Sequence, residues 1–369
     1  MERTLAEPIT LNFRGGISPD RAEQVITILG EEETPSRRVS LRFEGYPYVN
    51  PGVGWRIGNA LRPYSGVVDA LVPPFAKGDW FRTFTRSGLG DAIAAHARVI
   101  RSEGEEITEE VRKFYHTKAT RQDQNAVFFG ELHRGMSVNP EREDLFREAI
   151  LGALRSVNVR PSYFGREPLA DVIKLSFEAI QNVYDHARKK PLPEKTRIIS
   201  YCLLSYYKSL AGHPDPTGHL RGYLKRLGAV TKRGRTDFIQ VCVNDDGVGI
   251  AARQAQDPTI YEGAKDKEEA ALREALIAHS SVKLVAQDCR IRGSAGHGYT
   301  YINSSLNTLR AFAVLRTGRL LAVFDGSDRD SCGFRLSPAE LGRMPGTTLD
   351  VLIPIPNGPD TQPTLFPDP

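Results

Sequence analysis

Cysteine is scarce in this chain, and long apolar runs are absent. The 369 residues include only four cysteines, with no CxxC spacing and no paired histidine: Cys202, Cys242, Cys289 and Cys332. Isolated thiols exclude a disulfide-built scaffold or a cysteine-based zinc site, and they are typical of the reducing cytoplasm. No run of about 18 apolar residues and no basic leader with an apolar core occurs, which predicts a cytoplasmic protein without membrane contact.

A strong charge of either sign is also missing. The formal net charge is +4, which is too small to indicate nucleic-acid binding by itself. No low-complexity run or internal repeat is present. An apolar fraction of 40% is sufficient to bury real cores, and a length of 369 residues predicts two domains.

A helix is predicted from Ala170 to Ala187, because apolar residues recur there at three- and four-residue steps without glycine or proline. Glu178 and Asn182 lie four residues apart and therefore share one face of this helix. The Glu178 carboxylate can accept a proton from a water or hydroxyl that attacks a phosphate. The Asn182 amide oxygen can join an Mg²⁺ shell that also keeps waters and phosphate oxygens. The alternative is that both side chains are solvated on the outer face of a core helix.

Three glycine-containing segments follow this helix. The first is an apolar strand that stops at Asp245, after which Gly247 and Gly249 allow a close turn of the backbone. An ordinary strand-ending turn has the same pattern. The second is the loop Gly293 to Gly298. Backbone N–H groups at the start of a helix, freed of side chains by glycine, suit an anion. The third is Gly346-Thr347-Thr348, which enters a last apolar strand.

In this order, the helix and the glycine segments resemble the Bergerat-fold GHKL ATPases, and the layout is nearest to the serine kinases that act as anti-sigma factors. The resemblance implies an α/β (α+β) sandwich over residues 166–356, with helices layered on one face of a mixed sheet. It also implies a site for ATP and Mg²⁺. In that site Glu178 would be the general base, Asn182 the metal ligand, and Asp245 the acceptor for the adenine amino group.

Further residues match the ATP-binding pattern of the family by position. They are Asp185, Gly247, Gly249, Gly293, Gly296, His297, Gly298 and Thr347. His297 and Tyr299 stand where histidine kinases often have leucine. Because of this departure, the resemblance does not determine the geometry of the closing lid at about 251–298. His297 is interpreted as a loop residue, and Thr347 either touches a phosphate or simply begins a strand.

Residues 1–101 form a separate unit with a β–α–β–α–β–α rhythm. Two of its segments, VNPGVG at 49–54 and RSGLGDAI at 86–93, resemble STAS domains. STAS proteins often accept phosphate on a serine in the first of these turns, but Asn50-Pro51 offers no hydroxyl there. The resemblance therefore implies a small STAS-like α/β domain used for docking or regulation. Residues 102–165 are predicted to be a helical linker.

The resemblance implies an Mg-ATP-dependent switch or slow ATPase that regulates a protein partner. Two alternatives remain open. One is a serine/threonine protein kinase of the anti-sigma type that acts on a STAS-like partner, and the other is a scaffold that binds nucleotide without hydrolysing it. A homodimer is one further option.

Two segments carry partner predictions of their own. Residues 208–235 contain seven Lys/Arg against one Asp, so they form either a solvated loop with a short helix or a patch for nucleic acid or an acidic partner. The proline-rich tail, residues 357–369, is predicted to be disordered. Within it, Gln362 to Phe366 resembles peptides that dock on the bacterial sliding clamp, with Leu365 and Phe366 as anchors. An inert tail is the alternative.

Overall fold

The structure, a computed structural model, contains two β-sheets with helices packed on them, so the chain is a mixed α/β protein. Among the described residues, every helix is too short or too polar to cross a lipid bilayer. The described residues are 9–30, 38–45, 49, 51–64, 66–74, 84–85, 87–116, 120–123, 126–129, 140–183, 200–207, 218–230, 236–277, 298–328 and 333–355.

The N-terminal part of the chain forms a five-stranded sheet. Its elements are β1 (Ile9–Arg14), α1 (Pro19–Gly30), β2 (Arg38–Glu44), α2 (Pro51–Leu61), β3 (Val67–Leu71), α3 (Leu89–His96), β4 (Ala97–Ser102), β5 (Glu105–Glu106) and α4 (Thr108–His116). β1 to β4 pair in parallel in chain order, and β5 adds an antiparallel edge. Every second strand residue, such as Leu11 and Leu41, packs into one core with Val25 of α1 and Ile57 of α2.

The second sheet has eight strands in the order β12-β11-β10-β13-β9-β8-β7-β6. The elements of this part are β6 (Thr120–Asp123), β7 (Ala126–Phe129), α5 (Pro140–Ser156), α6 (Arg166–Asn182), β8 (Ser200–Tyr207), α7 (His219–Val230), β9 (Asp237–Asp245), α8 (Ile250–Ala255), α9 (Lys265–Leu276), α10 (Gly298–Thr308), β10 (Phe312–Gly318), β11 (Leu320–Asp325), β12 (Arg335–Leu336) and β13 (Met344–Ile355). The seven pairings that join these strands are all antiparallel.

Two details of the predicted sandwich are therefore wrong. The described sheet is antiparallel, not mixed, and helices cover both of its faces. α5, α6 and α10 pack on the face that carries Val241 and Val351. On the other face, Phe238 and Leu352 pack against Tyr223 of α7, and α2 packs on β9 and β13. Both faces are covered because apolar residues occur on both sides of β9 and β13.

The prediction of a helical linker at residues 102–165 also needs correction. This range contains α4 and α5, but it also contains β6 and β7, which pair with each other. β7 continues the second sheet by pairing with β8. Because these strands extend the sheet at its edge, at least residues 120–129 belong to the second sheet.

The N-terminal part docks on the second sheet through buried charges. Glu23 of α1 accepts hydrogen bonds from Arg316 of β10, at 3.1 Å from Nε and 2.9 Å from Nη2. Arg56 of α2 lies 3.7 Å from the same carboxylate. Both arginines are buried; burial lowers the pKa of Arg56, and Glu23 acts against that shift. The buried thiol of Cys242, on β9, lies close enough to Arg56 to affect its pKa.

Candidate functional site

α6 holds Glu178 and Asn182 four residues apart on one side of the helix. Its apolar stripe, including Leu175 and Ala179, packs into the main core. Glu178 and Asn182 are both half-buried, so neither side chain is fully solvated. The Nδ2 atom of Asn182 is buried and has no hydrogen-bond partner among the described residues. A buried polar atom of this kind can be satisfied by a bound polar ligand.

α10 runs antiparallel to α6, so its start faces the end of α6 that carries Glu178. Ser305 donates a hydrogen bond to Asp171 Oδ1 at 3.0 Å. One turn along α6, Lys174 Nζ lies 3.8 Å from the ring centroid of Tyr301. The contacts thus move toward the start of α10 as they move toward the end of α6. One further turn along the same register is expected to bring Gly298, the first residue of α10, level with Glu178. The N-terminus of α10, a type of position that suits a phosphate, is thus expected beside Glu178.

Asp245 ends β9 as a buried carboxyl group, only 5% exposed. It accepts a hydrogen bond from the backbone N–H of Gly247 at 2.8 Å. Burial raises the pKa of Asp245 to about 7, although hydrogen bonds from the N–H groups of Gly247 and Thr347 act against that shift. The charge of Asp245, added to burial, raises the pKa of Tyr299 above its usual value. The first turn of α10 therefore lies close to Asp245.

Thr347 lies directly opposite Asp245 in the pairing of β13 with β9. The residue before it, Gly346, has a φ of +72°, and a Cβ atom there would lie 2.0 Å from the carbonyl oxygen of Asp245. Gly249 has a φ of +82°, and a Cβ atom there would lie 2.3 Å from Tyr261 Oη. Gly249 and Gly346 are thus required both by backbone conformation and by close packing.

Two side chains that the sequence did not single out hold this turn. The Tyr261 hydroxyl donates to the Val248 carbonyl oxygen at 2.9 Å. Thr317 Oγ1 accepts from the Ile250 N–H at 3.1 Å and donates to the Gly346 carbonyl at 3.2 Å. Thr317 lies about 70 positions from the turn along the chain, and it reaches the turn only because β10 pairs with β13. No local sequence pattern could have indicated either contact.

The described part of the predicted lid is anchored to the sheet. Glu268 of α9 is fully buried. Its carboxylate accepts from Arg319 Nε at 2.8 Å and from the Arg319 backbone N–H at 2.7 Å. Arg319 Nη2 also donates to the Gly263 carbonyl oxygen at 3.0 Å. α9 is therefore tied to the connection between β10 and β11, so any closing movement of this segment must break these contacts or occur beyond Ile277.

Several predicted site residues lie outside the described residues. They are Asp185, Gly293, Gly296 and His297. The described part of the predicted helix ends at Asn182, before its expected end at Ala187. The tail 357–369 is outside the described residues too, as is most of the basic segment 208–235 except α7 and the residues next to it.

Among the described residues, no group of three or more His, Cys, Asp or Glu side chains is placed to hold a metal ion. Mg²⁺ that is bound mainly by phosphate oxygens and waters needs only one or two protein ligands, and the sequence prediction assigns one of them to the side-chain oxygen of Asn182. No protein-family model, no curated protein and no solved structure matches this chain.

Proposed function

We propose that this chain binds Mg-ATP in a GHKL-type site and acts as an ATP-dependent switch or slow ATPase that regulates a protein partner. The observation that carries the proposal is the antiparallel register of α6 and α10, from which the start of α10 is expected level with Glu178. Asp245 and Thr347 lie opposite each other on adjacent strands, and Tyr299 of α10 lies close to Asp245. Sequence segments separated by up to about 170 residues thus converge.

The site has a buried side at Asp245 and a second side at Glu178, Asn182 and the start of α10. Asp245 provides a buried acceptor for an amino group on a flat base, supported by a glycine turn that lets the backbone approach it. Glu178, Asn182 and the start of α10 provide the groups that suit phosphates. This division matches a nucleotide, which has an amino-substituted base at one end and an anionic chain at the other.

Each residue then has a role that follows from its chemistry. Glu178 takes the proton from the attacking water or hydroxyl. Asn182 would contribute its amide oxygen to the metal, and the N–H groups of the first turn of α10 would bind phosphate oxygens. When bound, Mg²⁺ neutralises part of the phosphate charge.

An assay with ATP labelled at the γ-phosphate tests the proposal against its alternatives. We expect slow release of labelled free phosphate that requires Mg²⁺. Label that appears instead on an added STAS-like protein would support the kinase alternative. Binding of ATP without either product would support the scaffold alternative, and the absence of binding would contradict the proposed function.

Asp245→Asn is expected to weaken Mg-ATP binding by about 1–3 kcal/mol, because a charged acceptor for the adenine amino group is replaced by a neutral amide. Isothermal titration at pH 8 measures the difference. Asp266→Asn is the matched control, because Asp266 is an exposed carboxylate on α9 and should leave the affinity unchanged. Equal affinities for wild type and Asp245→Asn would remove Asp245 from the site.

Nucleotide affinity is also expected to rise with pH through about 7. Since burial raises the pKa of Asp245 to about 7, a growing fraction of the carboxyl is protonated below that pH. A ligand that prefers the ionised form must then release a proton on binding, so its affinity falls by up to about ten-fold per pH unit below the pKa. Titrations between pH 5.5 and 8.5 should show this slope in wild type and none in Asp245→Asn.

Other groups near the site can be separated from Asp245 in this measurement. The charges of Asp246 and Arg62 act on the pKa of Asp245, and the charge of Asp245 in turn acts on the pKa values of Tyr261 and Tyr299. Burial raises the pKa values of both tyrosines, and burial together with Arg62 lowers that of His96 to about 4, so none of these three titrates near pH 7. His297 in the glycine loop is tested by His297→Asn. If that variant loses the slope, the slope belongs to the histidine.

A further inference from the structure

The turn that follows Asp245, here called the Asp245 turn, is held in place by α2, which belongs to the N-terminal part of the chain. Asn59 of α2 is completely buried. Its Nδ2 lies 2.7 Å from the carbonyl oxygen of Asp245, 3.0 Å from Asn244 Oδ1 and 3.1 Å from the carbonyl oxygen of Pro345. Asn244 Nδ2 donates back to Asn59 Oδ1 at 3.1 Å. One side chain of the N-terminal part thus binds both β9 and β13. These two strands form the side of the proposed site that is assigned to the adenine ring.

A second contact, from Arg62 directly after the end of α2, holds the other side of the turn. Arg62 Nη1 lies 3.0 Å from Asp246 Oδ2, and both side chains are mostly buried, at 9% and 13% exposure. The same Nη1 atom donates to Asn59 Oδ1 at 3.3 Å. Asn59 and Arg62 therefore contact the residues immediately before and after Asp245, as well as its own main chain.

The orientation of this network is fixed from within the second sheet. Thr348 Oγ1 donates to Asn244 Oδ1 at 2.6 Å, so the amide nitrogen of Asn244 is directed to Asn59. Without Asn59, the carbonyl of Asp245 and the amide of Asn244 would lose a partner in a buried position. An unpaired buried polar group costs far more than an exposed one, so the turn would be expected to rearrange.

We propose that Asn59 and Arg62 are positioning residues through which the N-terminal domain holds the Asp245 turn in its nucleotide-binding conformation. This inference rests on the proposed function, since it names how that same site is regulated. Docking of α2 and occupancy of the site are then coupled. Any partner that draws α2 away from the sheet lowers nucleotide affinity, and bound nucleotide strengthens the docking of α2 by the same factor.

Two measurements on the full chain test whether Asn59 holds the Asp245 turn in place. Asn59→Ala is expected to weaken Mg-ATP binding about ten-fold, because buried groups at the turn lose their partner. Without nucleotide, the same variant should speed hydrogen exchange at the Gly247 N–H about ten-fold, because that amide is bonded to the Asp245 carboxylate. The exchange measurement needs no ligand, so it tests whether Asn59 holds the turn even if the proposed nucleotide binding fails.

Ile57→Val separates positioning from general stability. Ile57 is on the same helix and fully buried in the N-terminal core, so its truncation destabilises the domain without touching the turn. We expect it to keep wild-type affinity and wild-type exchange at Gly247. If Ile57→Val weakens binding and speeds that exchange as much as Asn59→Ala does, or if Asn59→Ala changes neither, the inference is wrong.

Arg62→Met provides a readout that a purely structural role would not move. The positive charge of Arg62 lowers the pKa of Asp245, against the larger effect of burial. Its removal should therefore shift the midpoint of pH-dependent nucleotide binding to higher pH, whereas Arg62→Lys, which keeps the charge, should keep the midpoint near that of wild type. An unchanged midpoint in Arg62→Met would contradict the role given to Arg62.

Discussion

Glu178→Gln is expected to lower ATP turnover by about 100-fold or more while Mg-ATP affinity stays near the wild-type value. The amide keeps the size of the side chain but cannot take a proton, and removal of a positioned base typically costs this much. Binding should persist because two other groups remain: Asp245, which is assigned to the adenine ring, and Asn182, which is assigned to the metal. Phosphate release under single-turnover conditions, together with a separate binding titration, distinguishes the two effects.

Glu167→Gln is the matched control, because Glu167 is an exposed carboxylate in the first turn of the same helix. It should leave both turnover and affinity unchanged. Asn182→Ala should differ from both by losing the Mg²⁺-dependent part of ATP binding. Wild-type turnover in Glu178→Gln would rule out Glu178 as the base.

Glu23→Ala is expected to lower the free energy of unfolding by about 3 kcal/mol. The substitution leaves the guanidinium groups of Arg316 and Arg56 buried and close together without the carboxylate that lies between them. Breaking a buried pair by removing one partner typically costs about 3–5 kcal/mol. We expect the lower end of that range, because the Glu23 side chain is still 15% exposed. Urea unfolding followed by tryptophan fluorescence gives the difference, since Trp55 is buried on α2.

Glu109→Ala provides the comparison for an exposed pair. Glu109 lies 3.0 Å from Arg112, but its side chain is 88% exposed, and such pairs contribute at most about 1 kcal/mol. The predicted order of stability is therefore wild type, then Glu109→Ala close to it, then Glu23→Ala well below. Equal losses in the two variants would contradict a structural role for the buried charges between the domains.

Local pattern was sufficient to predict the elements that carry the proposed chemistry. The recurrence of apolar residues around Glu178 and Asn182 predicted a helix with both residues on one side, and α6 has that arrangement. The β-rich run before Asp245 predicted a strand that stops there, and β9 ends at Asp245. Both predictions depend only on periodicity and on turn residues, which neighbouring positions determine.

Contacts between distant segments could not be predicted in this way. The sequence gives no register between β7 and β8, so the strands in residues 120–129 were assigned to a linker. Asn244 and Thr348 are polar strand residues, a type that normally faces solvent, yet both are buried beneath α2. Their burial depends on a hydrogen-bonding partner, Asn59, 185 positions away along the chain, and no local pattern encodes that partner.

The buried thiol of Cys242 gives the interface between the two sheets a natural chemical probe. Cys242 lies on β9 between Val241 and Val243, which face the main core, so its own side chain faces the side covered by α2. A thiol reagent can reach it only when that cover is removed, since buried thiols react slowly. The alkylation rate of Cys242 should therefore report how often the interface opens, and it should fall when nucleotide binds. Peptide mass spectrometry identifies the modified cysteine.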